Sequence, residues 1–564
     1  MTVRLHPDLE TMRQLAAVAR AEEPATLVVT GGVLLNVFTE ELLAGWGVAV
    51  AGDRVAYVGP DAAERAGPAT EVVQLDGQIV APGLVESHTH VTRTTLREML
   101  RHQVGAGVTT TVIESMEIAY VAGPEGVREL LAEAARSPGR SFFTVSGLIG
   151  TDTAHDRRLA PADEWAALLD DPQVLGLGEL YWADVLRGHD RAERLIQAAL
   201  DRGLTVEGHG AGARPPALAA LAAFGVEADH EGLDAEDLRL RLRLGLWGEA
   251  RDGATRQDLE RIAPLWQQDA PDLGRLLLVT DGVEPAVLLR GDTLNRVVER
   301  AAASGLPFVR AVRLASRNAA ERLGLQRWLG GLTPGSLADL VVLPGPDRFR
   351  PELVLVGGAR PAEPEFYRWS DRITNAVHPC AVPDALLELP PPGRWRAMEL
   401  VAPTLTRELE TDGPGTLPVV ATDRYGEARA FRGLLAGLGL TGGAVAWSSA
   451  WESAAVLATG DRPEDVRAAL HRLAELRGGV VVVAGGGVQA EWRAEVAGLY
   501  TTAPLAEVVA QVDSVHGALR DLGCQTPNPI LTLETLTTAA IPFLRISPEG
   551  YFRARDGSRP GLEW

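Results

Sequence analysis

Val80-Ala81-Pro82-Gly83-Leu84-Val85-Glu86-Ser87-His88-Thr89-His90 decides the fold, because an apolar, strand-like run delivers two histidines at positions i and i+2. On a strand that spacing points both imidazoles the same way. Two neutral imidazoles converging at the end of a buried strand are what a divalent transition metal takes as its first ligands. Working outward, more histidines and carboxylates close later strand-like runs, each just before a Gly-rich or polar loop. Glu179 ends Val174-Leu175-Gly176-Leu177-Gly178-Glu179, and His209 ends Thr205-Val206-Glu207-Gly208-His209. His230 lies in Val226-Glu227-Ala228-Asp229-His230-Glu231, and Asp281 follows Leu276-Leu277-Leu278-Val279-Thr280. One such residue would mean little; the pattern repeated in chain order reads as a metal centre.

The segments between these runs are amphipathic, as in Gly126-Val127-Arg128-Glu129-Leu130-Leu131, so strands and helices alternate. The strands fall at Val80 to His90, Gly107 to Glu114, Ser141 to Gly150, Val174 to Leu180, Thr205 to Gly210, Gly225 to Glu231, Gly245 to Arg251 and Leu276 to Gly282. Eight β/α units match a closed parallel barrel of about 250 residues, whose catalytic groups gather at the C-terminal strand ends. The fold class expected is therefore α/β, with a (β/α)8 barrel inserted in a small β-domain and followed by a C-terminal α/β domain.

A helix around Leu9 to Ala21 and short strands before residue 80 read as the first half of a small β-domain. Its second half lies in Ala338 to Leu343 and Leu353 to Gly358. The expected division is residues 1–79, the barrel at 80–328, the returning β-half at 329–378 and a C-terminal α/β domain at 379–564, entered through the stiff Leu389-Pro390-Pro391-Pro392-Gly393 joint. In that last domain Gly485-Gly486-Gly487 follows an apolar strand with no Gly-Lys-Ser/Thr, so a strand-turn-strand is expected and a phosphate loop is not.

A chain of 564 residues exceeds one compact core, and 46% hydrophobic residues support globular packing. Its two cysteines, Cys380 and Cys524, stand far from the histidine series, which leaves nitrogen and oxygen as metal donors. A formal net charge of −21 repels a nucleic-acid backbone and points to a small-molecule partner. No apolar run approaches the roughly 20 residues of a membrane span, and the charged N-terminal stretch lacks a signal-peptide core, so a cytoplasmic protein is expected.

The order HxH, Glu, His, His, Asp on strands one, four, five, six and eight resembles the amidohydrolase superfamily. Gly107-Val108-Thr109-Thr110-Thr111, Leu175-Gly176-Leu177-Gly178-Glu179, Glu207-Gly208-His209-Gly210, Asp229-His230-Glu231, Gly330-Gly331-Leu332-Thr333-Pro334-Gly335 and Gly478-Gly479-Val480-Val481-Val482 are similar to the adenine deaminase branch. The resemblance runs over nearly the whole chain. It implies a metal-dependent hydrolytic deaminase that converts adenine to hypoxanthine and ammonia. His88 and His90 would hold one divalent ion and His209 and His230 a second, with Glu179 bridging them; manganese or iron stands ahead of zinc. Asp281, a further metal ligand, would move the proton of the attacking water, and Glu117 would protonate a ring nitrogen. A homo-oligomer is expected from the same architecture.

Several positions depart from the family's pattern. Met116 stands where it has a histidine, Thr92-Arg93 where it has Glu-Ser, Gly282 where it has a second aspartate, and Trp451-Glu452-Ser453-Ala454-Ala455 where it has His-Asp-Ser-His-Asn. Met116, Trp451, Glu452 and Ser453 are thereby expected at the substrate, in a pocket less polar than the family's. Two other readings are an amidohydrolase acting on another amino-purine, a related heterocycle or a cyclic amide, and a paralogue that binds without turnover. His102, His155 and His189 fall outside the pattern and are expected to be solvated.

Overall fold

The structure is a computed structural model describing residues 5–147, 152, 155, 158, 160–268, 273–541 and 543–564. Its strands Leu84–His90, Val108–Glu114, Arg140–Val145, Val174–Tyr181, Thr205–His209, Ala228–Asp229, Trp247–Arg251 and Leu276–Val279 pair in chain order, all parallel, as the expected barrel. The last strand returns to the first through Asp281 N–H donating to His88 O at 3.2 Å and Gly282 N–H to Thr89 Oγ1 at 3.1 Å.

Two strands differ from the expectation. The run from Val80 to His90 is two strands, broken at Gly83: Ile79–Pro82 pairs antiparallel with Leu340–Leu343 in a five-stranded sheet, and only Leu84–His90 enters the barrel. Gly83 donates to Asp339 O at 3.0 Å, and a Cβ there would lie 2.3 Å from Thr109 Oγ1, so the corner requires glycine. The sixth strand keeps only two ladder residues, Ala228 and Asp229. For the third strand, residues 148–150 of the expected span lie outside the described residues.

The small β-domain forms from both ends of the barrel insertion. Val80, Leu340 and Val342 join Leu27, Val29, Val48 and Val50 in one core, while Ile79, Ala81, Val341 and Leu343 turn to the barrel, as a period of two demands. Helix Leu9–Ala19 covers the outer face through Leu15 and Val18, against Val28, Ala49 and Ala56.

The C-terminal domain is an eight-stranded mixed sheet with a helix on each face. Val480 and Val482 pack in the layer of helix Leu505–Asp521, and Val481 and Val483 in that of helix Pro463–Leu476, which explains a continuous apolar run. Gly485 and Gly486, at φ +58° and +77°, make the two-residue hairpin turn between Gly479–Ala484 and Gly487–Arg493, as expected. Arg93 joins the barrel to this domain, pairing with Glu534 at 2.6 Å and with Glu284. Glu98 of the barrel accepts from Leu505 N–H at 3.2 Å, at the N-terminus of a C-terminal-domain helix. No helix among the described residues is long and apolar enough to cross a membrane.

Glu133 satisfies two free N–H groups of a neighbouring helix, Leu96–Gly105, accepting from Leu96 N at 3.2 Å and Arg97 N at 3.5 Å. Burial pushes its carboxyl up to about 7 from 4.5, against those hydrogen bonds. The folded chain thus holds a proton that the unfolded chain releases, so this contribution is complete below pH 4.5 and lost as the pH rises to 7. Glu133→Gln keeps an acceptor and cannot ionise; between pH 4.5 and 8 its stability, followed by denaturant unfolding, should decline less than the parent's by up to about 3 kcal/mol.

Candidate active site

The strand period of two aims Glu86, His88 and His90 into the barrel from one strand, Glu207 and His209 from another, and Glu249 and Arg251 from a third, all of them buried. Glu179 Oε1 is the hub, lying 3.3 Å from His88 Nε2, 3.2 Å from His90 Nε2 and 3.2 Å from His230 Nε2. Asp281 Oδ1 lies 3.3 Å from His88 Nε2 and 3.1 Å from His90 Nε2. Glu179 belongs to two of three donor sets, His88, His90, Glu179 and Asp281 in one and Glu179, His209 and His230 in the other; His88, Glu207, His230 and Glu249 make the third, and in each the ligand atoms lie within 4.8 Å of one another. His88 Nε2 is buried with no well-directed hydrogen bond, although two carboxylate oxygens stand 3.3 Å away. Nitrogen and oxygen lone pairs aimed at a common point in this way suit a divalent cation.

Carboxylates stand behind the imidazoles, and Glu117 fixes the orientation of His90 by a hydrogen bond. His88 Nδ1 is 3.0 Å from Glu207, His90 Nδ1 is 2.7 Å from Glu117, and His230 Nδ1 is 4.0 Å from Glu249. Arg322 reaches Glu207 at 3.0 Å and Glu249 at 3.5 Å. Burial opposes the charge on Glu207, but Arg322 and His88 outweigh it and hold the carboxyl below its usual range. Glu249, buried beside Glu207, is pushed up and keeps its proton.

Asp281 is ionised by design. Burial again opposes, yet Arg251, 2.8 Å from Oδ2, and the two imidazoles hold it well below the carboxylate range. Thr255 donates a hydroxyl to the same oxygen. Its backbone, at φ +53°, sits in the left-handed region, where a non-glycine residue persists only if its surroundings force it. Glu114 takes the opposite state: burial, with Glu179 close by, raises it to about 8, and it accepts from Thr144 Oγ1 at 2.8 Å and Glu179 N at 3.2 Å.

A cavity of about 590 Å³ opens over the cluster. His90, Met116, Glu179, His209, His230 and Asp281 form its barrel wall; Leu405, Trp451, Glu452, Leu531, Ile541 and Phe543 of the C-terminal domain form the facing one. Trp451 lies 5.9 Å from His90, nearly parallel to it. Glu452 is buried, with burial raising it to about 7, and both its oxygens accept protein hydrogen bonds.

Two residues expected at the substrate, Ser453 and Glu117, are placed differently. Ser453 lies away from the cavity and caps a turn by accepting from Ala455 N at 3.1 Å. Ala454 and Ala455 are buried away from it, Ala455 as the first residue of strand Ala455–Gly460. Glu117 stands behind His90 and borders a small cleft with Thr92, Arg93 and Glu534, which adjoins the large cavity at Trp451 and Leu531. His155 is buried, not solvated, bonded to Tyr120 O at 2.5 Å and stacked on Tyr425; His102 and His189 are half-buried. Sequence reasoning missed the roles of Glu207, Glu249, Arg251 and Arg322. For the first, its place two residues before His209 on one strand was a usable signal.

The profile of the amidohydrolase family matches residues 79–365, and that described as the adenine deaminase C-terminal domain matches residues 399–558. The chain is 32% identical to the adenine deaminase of Moorella thermoacetica, with 96% of each chain covered. It is 33% identical to that of Deinococcus deserti, again over 96% of each, and 30% identical to that of Cenarchaeum symbiosum, over 98% of this chain and 95% of the relative.

Replacing Arg322 with Met leaves the Glu207 carboxylate buried without its guanidinium, which costs about 3–5 kcal/mol for a broken buried pair. Calorimetry should show a clearly lowered unfolding midpoint, and Glu207→Gln added to it should recover part of the loss. From the sequence matches over almost its full length, the chain belongs to the adenine deaminase family of amidohydrolases.

Proposed function

We propose that the protein hydrolyses adenine to hypoxanthine and ammonia. The observation that carries this is a cluster of imidazoles and carboxylates at the barrel mouth, inside a cavity closed by the C-terminal domain characteristic of adenine deaminases. Water adds to C6, the C6–N6 bond breaks, one water proton leaves in ammonia and the other ends on N1.

Two divalent ions, manganese or iron ahead of zinc, are the proposed cofactors. His88 and His90 would hold one and His209 and His230 the other, with Asp281 beside the first and Glu179 shared, as its membership of two donor sets supports. Such ions supply a water acidic enough to ionise near neutral pH. Asp281, kept anionic by Arg251, takes a proton from the water and delivers it to the departing amine. Glu117 orients His90, a role its 2.7 Å contact supports over direct protonation of the ring. Trp451, Met116, Leu531 and Ile541 give a flat aromatic base apolar walls.

Ammonia and hypoxanthine formed from adenine by metal-loaded protein test the reading; no hypoxanthine with any of the three metals overturns it. Elemental analysis should find two ions per chain, and Glu179→Gln should weaken retention of both, since a terminal ligand would affect one. Asp281→Asn, which cannot accept the proton, should lower turnover by about 100-fold or more, the range for removing a general base. Near-normal turnover would assign the proton transfer to another group.

A further inference from the structure

We propose that Thr255 is a positioning residue for the deamination. With Arg251 it holds one carboxylate oxygen of Asp281, so that the proton taken from water rides on the other oxygen. The inference rests on the adenine reading above and adds which oxygen carries the proton and what keeps it in place.

The two oxygens of Asp281 have different surroundings. Oδ1 lies 3.3 Å from His88 Nε2 and 3.1 Å from His90 Nε2, in the donor set those histidines form with Glu179. Oδ2 accepts from Arg251 Nη1 at 2.8 Å and from the Thr255 hydroxyl. A carboxylate oxygen has two lone-pair sites, and these two donors use them. The guanidinium keeps its protons and is itself fixed, since the same Nη1 donates to Glu231 Oε1 at 2.6 Å and Nη2 stands 3.6 Å from Asp258. A proton arriving on Oδ2 would have to displace one of the donors, whereas Oδ1 is turned to the cluster.

Thr255 is held in register by backbone contacts. It lies in the turn after strand Trp247–Arg251, where Asp252 and Gln257 bridge antiparallel and Gly253 N–H donates to Arg256 O at 2.8 Å. Ala254 N–H crosses to Gly282 O at 2.9 Å. A Cβ on Gly253 would lie 1.8 Å from Thr280 O, so only glycine lets the turn rest against the residues on either side of Asp281.

The hydroxyl matters because the main chain cannot orient the carboxylate. Asp281 N–H and Gly282 N–H fix the backbone at φ +53°, but neither touches the side chain. With Arg251 as the single donor on Oδ2, the carboxylate could still swing about that one contact. A second donor, from a different element, removes this freedom. A displacement of about 1 Å at a reacting group costs on the order of 100-fold in rate, so the loss of such a contact is read in turnover.

Thr255 is half-buried in the cavity wall, and Thr255→Val keeps its shape while removing the hydroxyl, which Thr255→Ser restores. Valine should lower kcat for adenine about tenfold or more, while KM and calorimetric binding of hypoxanthine stay within about threefold and the metal content equals the parent's. Serine should recover most of the lost turnover. Normal kcat in the valine variant would overturn the inference, and so would serine failing as badly as valine. A loss of turnover matched by a weaker KM or by lost metal would make Thr255 structural and overturn it as well. Each of these results leaves the adenine reading standing. Absence of ammonia release from adenine by the unaltered enzyme would overturn that reading, and the inference with it.

Discussion

Charge buried inside a closed barrel is the constraint on which the rest of this structure depends. An ionised group removed from water must be paired or must give up its charge. The interior meets that demand in two ways. Glu207, Glu231 and Asp281 keep their charge beside Arg322, Arg251 and the imidazoles, whereas Glu86 and Glu114 are raised to about 7 and about 8 and stay protonated near neutrality. Protons and metal ions compete for the same lone pairs at His88 and His90, where carboxylates overcome burial and raise the imidazoles.

The second level of organisation is the docking of the C-terminal domain. The Arg93 side chain is buried between Glu284 and Glu534, and Asn528 donates to Glu284 at 2.8 Å. Around this ionic joint the domain contributes both an aromatic plane, Trp451, and a carboxyl, Glu452, to a cavity whose other wall is barrel. Met116 and Trp451 line the pocket with apolar surface, and Glu452 places a buried carboxyl among the apolar groups.

Legibility in the sequence followed physical regularity. His88 and His90, Glu179, His209, His230 and Asp281 were readable because each ends an apolar run, and the barrel followed from alternating periods. The break at Gly83 was hidden, since both halves of the run are equally apolar and only the partner strand Leu340–Leu343, some 260 residues later, separates them. Arg322 was hidden for a related reason: it lies on a helix after the barrel, and nothing local ties it to Glu207. Glu117 was recognised as important through the family's pattern, but its side of His90 is a matter of rotamers and packing. Ser453 was drawn to the substrate by its neighbours Trp451 and Glu452, although its hydroxyl is used up by the following turn.

The ligand atoms of the cluster are complete in the chain by Asp281, whereas the far wall of the cavity ends with Ile541 and Phe543, and the Arg93–Glu534 bond joins residues 441 positions apart. Domains fold as units in order of synthesis, at about 5–20 residues per second. The barrel thus emerges from the ribosome many seconds before its cover exists. During that interval the cluster faces open solvent, and docking of the last domain then encloses it.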